Sequence, residues 1–238
     1  MILVDHQTSY LPWLGFFHRL SLADKYINFD QVQYSPRNWI NRNRIKVKDR
    51  FQWLTIPILS SGHRGKVVAD MEINNQTRWR EKHWGTIQHA YKKSPYFNEY
   101  AGFFEDLYKM EWQYLIDINE YMLKWFVKTL GITIELDDAV NYKFIGSKSD
   151  LILDMCKQLN TDIYIFGGEG KNYADIKSFE KENIKTYFQE YKHPEYNQRF
   201  GKFIPNLSII DLLFNEGPKS LEIIKNGNVT KETLMEMI

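Results

Sequence analysis

Side chains able to do chemistry crowd the first 44 residues. The apolar run Ile2-Leu3-Val4 ends in Asp5, His6 and Gln7, and a turn of Thr8, Ser9 and Tyr10 leads to Pro12 and Trp13. An imidazole whose pKa lies near neutrality suits a general base. Arg37 to Arg44 then packs three arginines, three asparagines and a tryptophan into eight residues. Arginine grips carboxylate or phosphate as a planar fork, and asparagine reads amide or hydroxyl groups. The competing reading is a solvated turn whose side chains only cap the backbone. The segment's place after the polar end of a strand favours a binding role.

A third candidate follows the apolar run Asp162 to Phe166, where Gly167-Gly168-Glu169-Gly170 lets backbone approach a ligand closely. The glycine order matches neither a dinucleotide fingerprint nor a Walker loop, so no cofactor follows from it. A plain connection needing left-handed glycines explains the turn equally well. Metal ligation has no support: His83 and His89 lie six apart, and no His, Cys and carboxylate cluster has ligand spacing. Cys156 lies in an amphipathic stretch and reads as a buried structural thiol.

These residues need elements to hold them. Ile2 to Val4 reads as a strand, Pro12 to Leu20 as a helix with proline at its start, and Tyr26 to Asp30 as a second strand. In an open α/β sheet such a unit gathers polar groups at the strand ends. Beyond Asp30 the chain reads as irregular until a strand at Phe51 to Ile58. Gly62 to Gly65 reads as a flexible basic loop, and Val67 to Ile73 as a returning strand. From Thr77 the period turns helical: Trp79, Trp84, Ile87 and Tyr91 share a face, and one long helix runs from Leu107 to Leu130 with Gly131 as its stop. Alternation returns with strands at Ile132 to Leu136, Asp162 to Phe166 and Lys185 to Phe188, and helices around Cys156, from Ala174 and over Asn206 to Asn215. The expected architecture is α/β: an open, mostly parallel, Rossmann-like sheet with a helical insertion between two α/β parts. Residues 1–76 form the first part, 77–131 the insertion, and 132–238 the part that completes the sheet.

Composition sets the bounds. The 238 residues carry a net charge of +1, which supplies no field for nucleic acid or an acidic membrane. Aromatic content is high at 16%, and Tyr and Trp suit ring or sugar stacking as well as core packing. One cysteine makes no internal disulfide, Asp5 and His6 break the first apolar run before it can act as a signal peptide, and no run is long enough to span a bilayer. A soluble cytoplasmic protein is expected.

His6-Gln7, Tyr10-Leu11-Pro12-Trp13-Leu14-Gly15, Ala23-Asp24, Asp30-Gln31-Val32-Gln33 and Asn41-Arg42-Asn43-Arg44 together resemble the signature of the WbqC-like family. Asp162-Ile163-Tyr164 with Gly167, Tyr173, His193-Pro194-Glu195-Tyr196 and the stretch Leu207 to Asn215 agree with it. Thr8 departs from the family pattern, which has proline after the His-Gln pair. The resemblance implies a role in bacterial O-antigen and other surface-polysaccharide clusters, as a glycine transferase acylating an amino group of a deoxyamino sugar. A looser, fold-level analogy is to nucleotidylyltransferases, but their H-x-G-H turn is missing, because His18 falls inside the helix.

The leading expectation is therefore an N-acyltransferase whose partners are a nucleotide-linked amino sugar and an acyl donor. His6 is the expected base and Asp30 its orienting carboxylate or the holder of the amine. Asn41, Arg42 and Arg44 are assigned to phosphates or acyl donor, and Tyr10 and Trp13 to stacking. Gly167 and Gly168 line the same cleft, with Gln7, Gln33 and Tyr173 completing the pocket. A histidine held by backbone is the plain alternative for His6. Two rival functions stand beside the first: an ATP-dependent, adenylate-forming amide ligase and a non-catalytic binding module.

Overall fold

The computed structural model describes residues 1–36, 38–59 and 65–236. Five parallel strands form one sheet: β1 (Ile2–His6), β2 (Lys25–Asn28), β5 (Glu135–Asp138), β6 (Ile163–Phe166) and β7 (Lys185–Phe188), in the order β5-β2-β1-β6-β7. The outcome is the α/β class that the alternation predicts. Strands buried on both faces explain the near-continuous apolar runs of β1 and β6. Their side chains divide by the strand period of two: Ile2, Val4, Ile163 and Ile165 enter the larger core, and Leu3, Tyr164 and Phe166 enter a smaller one on the other face.

Helices cover both faces. α1 (Leu14–Leu22), α2 (Trp79–Tyr91), α3 (Phe97–Lys109), α4 (Leu115–Leu130), α7 (Ile209–Glu216) and α8 (Ser220–Lys225) contribute to the larger core, and α5 (Ser149–Gln158) and α6 (Ile176–Lys181) to the smaller. The contact of Phe17 with Phe126 at 5.5 Å ties α1 to α4, and that of Phe104 with Phe214, also 5.5 Å, ties α3 to α7. Residues 79–130 thus form a helical layer of the common core. Gly131 ends α4 with φ +68°, the left-handed cap that glycine accepts most cheaply. Cys156 is buried in the smaller core, where burial pushes its thiol pKa up.

Three local expectations are corrected. The Leu107 to Leu130 stretch is two helices, broken at residues 110–114, where the Glu72 and Tyr114 backbones meet in an isolated bridge. Val67 to Ile73 holds a short 3-10 turn, Val68–Asp70, flanked by bridges. The polar segment after Asn41 is a strand: β3 (Arg42–Val47) pairs antiparallel with β4 (Arg50–Thr55). Of the expected loop Gly62 to Gly65, residues 62–64 lie outside the described residues, as does Arg37.

Candidate functional site

The order of the sheet decides where a ligand can sit. From β1 the chain moves to β2 and β5 on one side, while β6 and β7 lie on the other, so the crevice beyond the carboxyl ends of β1 and β6 is the switch point at which open parallel sheets bind ligands. A cavity of about 580 Å³ occupies it, lined by Asp5 and His6 from β1, Arg19 from α1, Tyr164 from β6, and Gly167 and Gly168 beyond β6. A second cavity of about 540 Å³ adjoins it, lined by Asn38, Trp39, Asn43, Arg44 and Asn206. His6, Gln7, Trp13, Phe16 and Glu169 border both.

His6 stands at that junction. Its Nδ1 lies 2.7 Å from the Gln7 carbonyl oxygen, so Nδ1–H is the donor and Nε2 carries the lone pair. Nε2 makes no hydrogen bond among the described residues. His6 is exposed at the cavity junction, yet the protein atoms crowded around the ring disfavour its charged form and the charge of Arg19 adds repulsion, and together they push the pKa down to about 4, leaving the ring neutral at pH 7. Phe16 meets the ring edge-on at 5.6 Å.

The turn that follows is clamped on three sides. Asp30 accepts the Thr8 N–H at 2.9 Å and the Thr8 hydroxyl at 2.6 Å, Tyr10 N donates to the Ile40 carbonyl at 3.0 Å, and Asn43 Nδ2 donates to the Leu11 carbonyl at 2.6 Å. The clamp holds Leu11 at φ +48°, a conformation a branched side chain rarely adopts. Beyond the turn Trp13 begins α1, and its indole lies over Gly15, where an added Cβ would come within 2.3 Å of the ring.

The second cavity owes its wall to the hairpin. Alternation places Arg42 and Arg44 on the face that carries Phe51 and Trp53, while Ile45 and Leu54 turn into the core. The Arg42 guanidinium lies 4.3 Å from the Trp53 ring, and that of Arg44 lies 4.8 Å from Phe51 and 5.3 Å from Trp39. These are cation–π distances. Trp39, Phe51 and Trp53 are nonetheless exposed, so their outer faces can take a ring.

The structure separates the residues that the sequence grouped. His6, Gln7, Trp13, Arg44, Gly167, Gly168 and Tyr173 line one or both cavities. Tyr10 does not: it is fully buried, bonded to His83 Nδ1 at 2.8 Å and to the Tyr108 hydroxyl, so it stacks on no ligand. Asp30 is consumed by Thr8 and forms no bond to His6, which corrects the expected pairing. Asn41 spends its amide on the Ile56 carbonyl at 2.9 Å, and Arg42 and Gln33 border neither cavity.

Three contributors escaped the sequence. Arg19 is 6% exposed in a helix buried nearly all round, and its only visible signal was a lone charge within LGFFHRLSL. Asp5, whose carboxyl accepts from the Tyr164 hydroxyl, was visible as a polar strand end but had no assigned partner. Burial raises its pKa against the lowering pull of Tyr164 and Arg19. Lys148 reaches the cavity from the residue before α5, a placement that no local pattern announces. Among the described residues no cluster of His, Cys and carboxylates is placed to hold a metal, and no helix is long and apolar enough to cross a membrane.

The WbqC-like protein family model matches residues 7–223, which include the His6-adjacent turn, the hairpin and the glycine turn. The chain belongs to the WbqC-like family. A further relative is the uncharacterized protein Rv1507c of Mycobacterium tuberculosis, 30% identical over 221 residues that cover 92% of this chain and 95% of the relative. No solved structure matches the chain. Family membership thus covers both cavities, since their walls all fall inside the matched span apart from Asp5 and His6 at its edge.

Proposed function

We propose that this WbqC-like protein transfers an acyl group, glycyl in the first instance, onto the amino group of a nucleotide-linked deoxyamino sugar. The observation that carries the reading is the pair of cavities meeting at one imidazole. A two-substrate transfer needs two binding spaces with a proton acceptor where they join, so that the reacting atoms are held together before chemistry begins. As the amine attacks the acyl carbon and the bond from that carbon to the donor's leaving group breaks, His6 Nε2 takes the proton from the attacking nitrogen and passes it to the departing group. The exposed Trp39 and the indole of Trp13 fit the faces of a sugar or base, with Arg44 beside them. The backbone of Gly167 and Gly168 leaves the other cavity open to close approach.

The test is incubation of the protein with dTDP- or UDP-linked amino sugars, glycine, ATP and activated glycyl donors, followed by mass spectrometry of the sugar. Gain of one glycyl unit supports transfer, and the absence of an adduct from every combination contradicts it. A second reading, ATP-dependent adenylate formation on glycine before capture by the amine, draws on the glycine turn and buried arginine of the first cavity. It requires pyrophosphate release coupled to product, whereas direct transfer releases none.

A further inference from the structure

Arg19 is the one charged residue of α1, and it sits 94% buried, being 6% exposed, against the wall of the first cavity. Its guanidinium forms no hydrogen bond and no ion pair among the described residues, and Nε is buried without any partner. Asp5 is near enough to feel its charge, yet that carboxyl accepts from the Tyr164 hydroxyl. Glu169, on the same cavity, accepts from Asn172 at 2.8 Å. A guanidinium taken largely out of water, with Asp5 nearby but no ion pair or hydrogen bond in contact, leaves its donors unspent by the fold.

The glycine turn makes room for it. A Cβ at Gly167 would stand 3.0 Å from Arg19 Nη1, closer than side chains normally pack, although φ −69° and ψ 171° would let any residue take that backbone. The constraint at Gly167 is thus space beside the guanidinium, not backbone conformation. Lys148 lines the same cavity and adds a second cation.

We infer that Arg19, beside the Gly167 backbone and with Lys148, forms an oxyanion-binding site in the first cavity, filled by the phosphate of a nucleotide-linked substrate or the carboxylate of an acyl donor. The ligand supplies the contacting acceptor that the fold leaves out, and its planar or tetrahedral oxygens meet the arginine fork. The identity of the ligand rests on the transfer reading, but the site does not, because binding needs no turnover.

The test is calorimetric titration of the full chain with UDP, inorganic pyrophosphate and glycine, for the native protein, Arg19→Met and Gly167→Ala. We expect saturable binding of at least one probe, weakened tenfold or more by Arg19→Met and severalfold by Gly167→Ala. Binding of UDP or pyrophosphate assigns the site to phosphate, and binding of glycine alone to carboxylate. Native protein that binds none of the probes, or Arg19→Met that binds like native, overturns the inference, and Gly167→Ala decides if Arg19→Met does not fold. Binding without any glycyl adduct would sink the transfer reading and leave this site standing. An adduct formed equally by Arg19→Met would do the reverse.

Discussion

Thr8 carries a load in this turn that its sequence position does not reveal. Its N–H and hydroxyl both serve Asp30, a carboxyl that is 1% exposed and that burial pushes up to about 6 despite those two bonds. Proline at this position would offer neither donor. Thr8→Val keeps the N–H and shape but strips the hydroxyl, leaving a buried carboxyl oxygen short of a donor. The expected cost is about 1–3 kcal/mol in urea unfolding, together with a further rise of the Asp30 pKa, readable by NMR titration. A variant as stable as native, with Asp30 unmoved, would show that the hydroxyl does not hold the turn. The sequence displayed the right residue types here but not their engagements. Asp30 looked available to His6, and Tyr10 to a ligand, because a bond across the fold, to Thr8 or to His83 and Tyr108, leaves no local mark.

At the scale of elements, α1 organises the site. Trp13 at its entry separates the cavities, and Phe16 and Arg19, three apart and so on one face, line the first. Gly15 lets the indole lie flat. Gly15→Ala suits a helix interior, gaining about 0.5–1 kcal/mol of propensity, while its Cβ meets the ring at 2.3 Å and must displace it. The expected outcome is an unfolding temperature near native with affinity for the proposed amino-sugar nucleotide several times weaker. Unchanged affinity would remove Trp13 from the binding surface. Apolar runs made β1 and β6 legible, because buried parallel strands write their burial into sequence. The hairpin strand β3 was not legible. Arg42, Asn43 and Arg44 look like a loop until Trp53 and Phe51 cover the arginines and the Leu11 carbonyl takes the asparagine, a tertiary override of propensity.

For the whole molecule, buried titrating groups pull stability in opposite directions with pH. Burial raises the Asp30 and Asp211 carboxyls to about 6, so between their unfolded value of 3.8 and 6 the folded state holds more protons and stability falls as pH rises. His6 and His83, lowered to about 4 chiefly by burial, do the opposite: the unfolded state holds more protons between 4 and 6.5, and stability grows with pH. Asp211 can be isolated because its oxygens accept from Tyr91 at 2.7 Å and Tyr196 at 2.9 Å and it borders neither cavity. Relative to native, Asp211→Asn should gain up to about 3 kcal/mol of stability on going from pH 4 to pH 6.5, since each pKa unit is worth about 1.4 kcal/mol. Urea midpoints at both pH values check it, and parallel curves would refute the raised carboxyl. The same assembly brings two cavities together on one ring, and the proposed transfer turns on that meeting. Its most direct measurement compares the rate of glycyl transfer by native protein and His6→Gln, with binding of each substrate measured separately. The prediction is a rate lower by about 10²–10⁴-fold with each affinity within a few-fold of native. A variant that transfers at the native rate would contradict a reaction centred on His6.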